Sequence, residues 1–97
     1  MDAHKLRCFI TVIEKRSVSA AAEALHMTQP PLSMLIKKLE DDLQVSLFKR
    51  EANKLSPTAT GELFYLRAKE ILANIASVKR ELIESDSQLK ETIRIGC

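Results

Sequence analysis

From Thr58 onward the chain contains no proline, and between Gly61 and Gly96 it contains no glycine. A stretch of that length without either helix breaker is expected to be one long helix. Phe64, Ala68, Ile71, Ile75, Val78, Leu82 and Leu89 follow alternating steps of four and three, with Ser85 in the one polar slot. That spacing is a heptad seam, and a seam wants a partner helix. A helix over residues 59–89 would run roughly 45 Å at a rise of 1.5 Å per residue. The residues before it are too few to cover that length, so packing within the chain accounts for only about its first two or three turns. A second copy of the chain is the economical partner for the rest.

The preceding residues then have to form a small domain. With 97 residues, 45% of them hydrophobic and 29% charged, the chain can build a modest core and is not disordered by composition. Two glycines and three prolines leave little material for loops, so mostly helix is the expectation. No apolar run approaches the roughly 20 residues of a membrane span, and the N-terminus does not read as a signal peptide. Cys8 and Cys97 stand far apart, outside any paired spacing, and read as free thiols in a reducing cytoplasm. His4 and His26 are isolated, no carboxylate–histidine–cysteine grouping recurs at metal spacing, and no glycine-rich phosphate loop is present. A catalytic centre, a metal site and a cofactor site are therefore not expected. The net charge is +2. Residues 1–58 hold nine Lys/Arg against seven Asp/Glu, whereas residues 59–97 hold six of each. The excess lies wholly in the first part, a weak pointer to a nucleic-acid partner.

Along that first part, Leu6, Phe9, Ile10 and Ile13 make a helical core stripe, widened by Val12, with Cys8 at its edge. Ser17 and Ser19 offer N-caps for a second, short helix, AAAEALHM, whose alanines let neighbours approach closely. A third helix opens on Pro30-Pro31, where the first N–H groups have no intrahelical partner and prolines sacrifice nothing. Thr28 is its expected N-cap, satisfying a remaining donor. At about 100° per residue, Leu32, Leu35, Ile36 and Leu39 form the buried stripe. Pro30, Ser33, Met34 and Lys37 fall opposite, flanked by Lys38, with acids only in the last turn. Val45, Leu47, Phe48 and Leu55 then flank the polar stretch KREANK, which reads as a short hairpin with Asn53 at its turn and Arg50 and Lys54 beside it.

Three helices, a hairpin and a long helix make a winged helix-turn-helix. Residue by residue, the chain resembles the N-terminal module of the LysR-type transcriptional regulators. The resemblance lies in LRCFITVIEKRSVSAAAEALHMTQPPLS, IKKLEDDLQVSLFKR and LSPTATGELF, and covers residues 1 to about 90. Its most specific parts are A-A-E-x-L-H-x-[ST]-Q-P-x-L-S and L-F-x-R. It implies a mainly α fold: a winged helix-turn-helix over 1–58, with the helix-turn-helix at about 18–37, and then a linker or dimerisation helix over 59–90. Residues 91–97 resemble the first strand of a larger effector-binding domain.

By that resemblance, helix 29–42 reads the major groove and a wing near 48–57 meets the backbone and minor groove. Base contacts are expected from Gln29, Pro30, Pro31, Ser33 and Met34, and backbone contacts from Ser17, Ser19, Thr28, Lys37, Lys38, Arg50 and Lys54. The chemistry suits those roles. Gln29 can reach base edges, the prolines can touch thymine methyls, and Lys37, Lys38 and Arg50 suit phosphates. Met34 stands where many relatives carry a longer polar or cationic side chain, so a hydrogen bond to DNA is missing there. Asn53, at the wing tip, and Glu51 stand in a wing usually richer in arginine. The implied partners are double-stranded promoter DNA, bound at an interrupted inverted repeat, and a second copy through the linker helix at Phe64, Ala68, Ile71, Ile75, Val78 and Leu82. A full-length parent would form a tetramer and bind its small-molecule effector through the C-terminal domain. The setting implied is the bacterial cytoplasm, on the nucleoid when DNA is bound, with no membrane.

Overall fold

The computed structural model describes residues 2–51 and 54–96, with side chains for residues 2–50 and 55–87. These residues form helices α1 (Ala3–Lys15), α2 (Val18–Ala24) and α3 (Gln29–Leu43), strands β1 (Phe48–Glu51) and β2 (Lys54–Pro57), and helix α4 (Ala59–Gly96). The fold is a winged helix-turn-helix with a long C-terminal helix, and the molecule extends over 68 × 26 × 20 Å. That length is mostly α4, whose 38 residues span roughly 57 Å at 1.5 Å each.

The N-terminal helix is capped by Asp2, whose carboxylate accepts the Lys5 N–H at 2.9 Å. That bond holds the Asp2 carboxyl below its ordinary pKa of 3.8. The stripe predicted for α1 is buried at Leu6, Phe9, Val12 and Ile13, with Ile10 half-buried. Cys8 corrects the sequence reading: it is not at the edge but fully buried. It belongs to the same buried cluster as the small Ala21 and Ala22, and burial pushes its thiol pKa up. Phe9 is the hinge pin of the core. Its ring lies 4.7 Å from Phe64 of α4 and 5.5 Å from Phe48 of β1, so three separate elements meet on one side chain.

Of the two serine caps offered by the sequence, the chain uses Ser17, whose Oγ accepts the Ala20 N–H at 3.1 Å. Ser19 lies inside α2 and is exposed. The second helix also stops at Ala24 rather than running on through His26-Met27. His26 adopts a left-handed backbone (φ 57°), and the turn closes with His26 N–H on the Glu23 carbonyl and Met27 N–H on Ala22. Histidine tolerates that conformation better than most side chains.

The two strands pair antiparallel with Phe48 opposite Pro57 and Arg50 opposite Leu55. Asn53, expected at the wing tip, lies outside the described residues. The expected strand in ETIRIGC is not formed, because α4 continues to Gly96. A strand needs a neighbour for its hydrogen bonds, whereas a helix satisfies its own.

The heptad reading of α4 needs a second correction. Phe64 and Ala68 do not begin a free seam: Ala68 is fully buried and Phe64 packs on the core, joined by Tyr65 and Leu72. Tyr65 also donates its hydroxyl to Glu14 Oε2 at 2.8 Å, tying α4 to α1. Beyond these turns Ile71, Val78 and Leu82 are exposed, and Ile75 is half-buried.

Candidate nucleic-acid interface

The entrance to α3 is built by an unusual division of labour. An N-cap side chain ordinarily accepts from the N–H of the second or third helical residue. Here those positions are Pro30 and Pro31, which have no N–H, and Thr28 accordingly makes no side-chain capping bond. Thr28 is thus the N-cap residue as expected, but the hydrogen bond expected of its side chain is not made. The prolines fix the helix start by their restricted φ instead, and the Thr28 hydroxyl is left for another partner. Thr28, Gln29, Pro30 and Pro31 are all exposed.

Down the helix, Leu32, Ile36 and Leu39 are buried and Leu35 is half-buried, as the predicted stripe requires. Met34 is 72% exposed, an apolar side chain held in water beside Lys37 and Lys38, which are also exposed. Ser33 is half-buried and differs from the other outward residues. It lines a groove of about 310 Å³ shared with Val18, Lys37, Phe48, Arg50 and Leu55. The groove therefore joins three elements: the start of α2, the middle of α3 and the hairpin. Strand alternation explains how Arg50 reaches it. Phe48 and Arg50 are two residues apart and share one face of β1.

The structure thus brings Ser33, Lys37 and Arg50 to one groove. Gln29, Pro30, Pro31 and Met34 stand exposed on the same helix at its N-terminal end, and Ser19 is exposed on α2. Ser17 is half-buried and its oxygen is already an acceptor in the α2 cap, though a hydroxyl retains a proton to donate. Lys54 opens β2, with a side chain outside those described.

Three residues that position this surface were not singled out from sequence as site residues. Glu40, read only as an acid of the last helical turn, lines the same groove. Its Oε2 accepts the N–H groups of Leu47 at 2.7 Å and Phe48 at 3.3 Å. Nothing in the local pattern signals a bond to backbone seven and eight residues away. Gly61 is buried in the first turn of α4, where its Cα passes against the Leu47 carbonyl. A lone glycine inside a helical pattern costs helix stability, so its presence can signal a packing constraint. Thr58 completes the joint, donating its hydroxyl to the Ser46 carbonyl at 2.6 Å and accepting the Gly61 N–H at 2.9 Å.

Known proteins share this arrangement. Residues 3–62 match the family model described as "Bacterial regulatory helix-turn-helix protein, lysR family". The chain belongs to the LysR family. It is 41% identical over 97 residues to the HTH-type transcriptional regulator BsdA of Bacillus subtilis (strain 168), covering 99% of this chain and 33% of BsdA. To BenM of Acinetobacter baylyi it is 34% identical over 96 residues, covering 99% of this chain and 31% of BenM. The LysR chain thus spans about a third of the length of the curated relatives it matches.

Among solved structures, it superposes on the BenM DNA-binding domain in complex with benA site 1 DNA with a TM-score of 0.85 at 33% identity. That match covers 90% of this chain and 98% of the other. The CbnR DNA-binding domain–DNA complex gives 0.84 at 33% identity, covering 88% and 98%. Among the described residues, no helix of this LysR chain is long and apolar enough to cross a membrane.

Proposed function

We propose that this chain is the DNA-binding module of a LysR-type transcriptional regulator, reading duplex DNA through α3. The observation that carries the reading is the exposed N-terminal end of α3, set beside a groove where Ser33 and Lys37 meet Arg50 of the wing. An α-helix fits the major groove, and helix-turn-helix modules present the N-terminal residues of their second helix to base edges. Gln29, Ser33 and the two prolines face the bases, with Met34 adding apolar contact. Thr28, Lys37, Lys38, Arg50, Ser17 and Ser19 hold phosphates, joined by Lys54 from the wing. The relatives crystallised on DNA support the docking.

The functional unit is a homodimer through α4. Its support is a free apolar stripe of Ile71, Val78 and Leu82 that the first domain leaves uncovered. Two recognition helices related by a twofold axis read an interrupted inverted repeat, with half-sites about one helical turn apart or a multiple of it. In the whole regulator a small-molecule effector acts through a further domain, in a bacterial cytoplasm.

The test is a salt titration of binding to a selected duplex and to a random one. Counterion release makes log K fall linearly with log salt, and alanine at Arg50 or Lys37 should shallow that slope by about one on both duplexes. A slope near zero for the unmodified chain would leave α4 as a dimerisation module without DNA.

A further inference from the structure

We propose that Glu40 is a positioning residue that fixes the wing against α3 and so sets where Arg50 meets the DNA backbone. The proposal rests on the DNA reading above and adds the part that joins its two halves. Glu40 is half-buried in the last turn of the recognition helix, and it lines the groove that also holds Ser33, Lys37 and Arg50. A carboxylate among phosphate-seeking cations is a paradox if it faces the DNA. Its geometry resolves the paradox: one oxygen, Oε2, accepts both the Leu47 N–H and the Phe48 N–H.

Those two amides are the first links of the wing. Leu47 is fully buried and Phe48 opens β1, two residues before Arg50 on the same strand face. Charge-assisted bonds to backbone N–H groups are stronger than neutral ones and shorter in reach. Glu40 therefore acts like a cap for the start of the strand, delivered from the recognition helix. The base-reading helix and the backbone-holding arginine are locked into one register by a single side chain. Without it, this end of β1 keeps the Thr58 bonds to Ser46 and Leu47 that tie it towards α4, and the apolar packing of Leu47 and Phe48, but it loses these two hydrogen bonds to α3.

Because a single oxygen does the work, a glutamine can keep both bonds through its amide oxygen. An aspartate, one methylene shorter, cannot reach. Glu40→Gln should thus match the unmodified chain on DNA, or bind slightly tighter, since it removes a negative charge beside Lys37 and Arg50. Glu40→Ala and Glu40→Asp should both lose about tenfold in affinity on a random 30-bp duplex and on a duplex selected from a random pool. Both should also flatten the salt slope by about 0.9, the change expected when one fewer phosphate is neutralised. Adding Arg50→Ala to Glu40→Ala should change little further, because the arginine is already misplaced.

Amide hydrogen exchange on the free 97-residue protein gives a second reading that needs no DNA. Protection at Leu47 and Phe48 should fall in Glu40→Ala and return in Glu40→Gln. Unchanged protection would overturn the proposal, as would a Glu40→Ala chain that binds DNA normally or losses from Glu40→Ala and Arg50→Ala that simply multiply. An unmodified chain that bound neither duplex would refute DNA binding itself, and with it the positioning role, whereas the other failures leave DNA binding standing.

Discussion

Gly61→Ala is the sharpest test of how the wing is attached to the long helix, because its expected sign is opposite to the general rule. Replacing glycine by alanine inside a helix ordinarily stabilises by up to about 1 kcal/mol, since glycine loses more backbone freedom on folding. At Gly61 the added Cβ would collide with the Leu47 carbonyl oxygen and sit 3.0 and 3.3 Å from its carbonyl carbon and Cα. All three are backbone atoms, with no rotamer to turn aside. The same oxygen accepts the Thr58 N–H at 3.0 Å, so pushing it away strains the bond that starts α4. Overpacking a tight site costs about 1–3 kcal/mol, and a weakened hydrogen bond adds about 1 more. Subtracting the propensity gain leaves a net loss of roughly 1–3 kcal/mol. For a domain of this size that corresponds to a fall in Tm of the order of 4–8 °C per kcal/mol. Urea unfolding followed by circular dichroism measures it, with Ser77→Ala on the exposed part of α4 as the control that obeys the general rule. A Gly61→Ala chain as stable as the control would show that the first turn of α4 is not pressed against Leu47. Since Leu47 also donates to Glu40, the variant should loosen the wing as well.

Gln29→Ala should cost about 1–3 kcal/mol on a selected duplex and much less on a random one, read by fluorescence anisotropy, as removal of a base-reading side chain requires. Ile71→Asp with Ile75→Asp should convert a dimer to monomers by sedimentation while leaving the N-terminal fold intact, because neither belongs to the buried core. The cap of α1 should respond to acid. Since the folded pKa of Asp2 lies below 3.8, its contribution is present above that value and is lost as the pH falls through the folded one. Asp2→Asn should keep the cap and remove that part of the pH dependence, seen as a smaller drop in Tm between neutral and acidic solution.

What the sequence revealed, and what it concealed, divides along one physical line. Periodic burial was legible: the stripes Leu6–Phe9–Ile13 and Leu32–Ile36–Leu39 were readable from spacing and are buried. The hairpin was also legible, as were the exposed Lys37 and Lys38, because exposure on one helix face follows from what the opposite face buries, whereas Gln29 and the role of Arg50 came from the family resemblance. The misreadings arose where one residue's role depends on an atom far along the chain. Thr28 has the composition of a cap, yet its acceptor has no target once prolines occupy the next positions of the turn. Phe64 and Ala68 satisfy a heptad, yet Phe9 from α1 claims that face first.

A repeating pattern states that a face is apolar without stating what covers it, and covering is decided by tertiary proximity. The same reasoning separates the two halves of α4. Its first turns answer to the core, through Phe64, Tyr65 and Ala68, and its stripe of Ile71, Val78 and Leu82 is exposed among the described residues. A helix so divided holds the wing at one end, through Gly61 and Thr58, and offers an apolar face at the other. Any association along that stripe would set the spacing of the two copies of α3 through the continuous helix α4. On the proposed reading, the half-site spacing of a bound repeat would then follow from α4 and its packing on Phe9 rather than from the residues proposed to touch the bases.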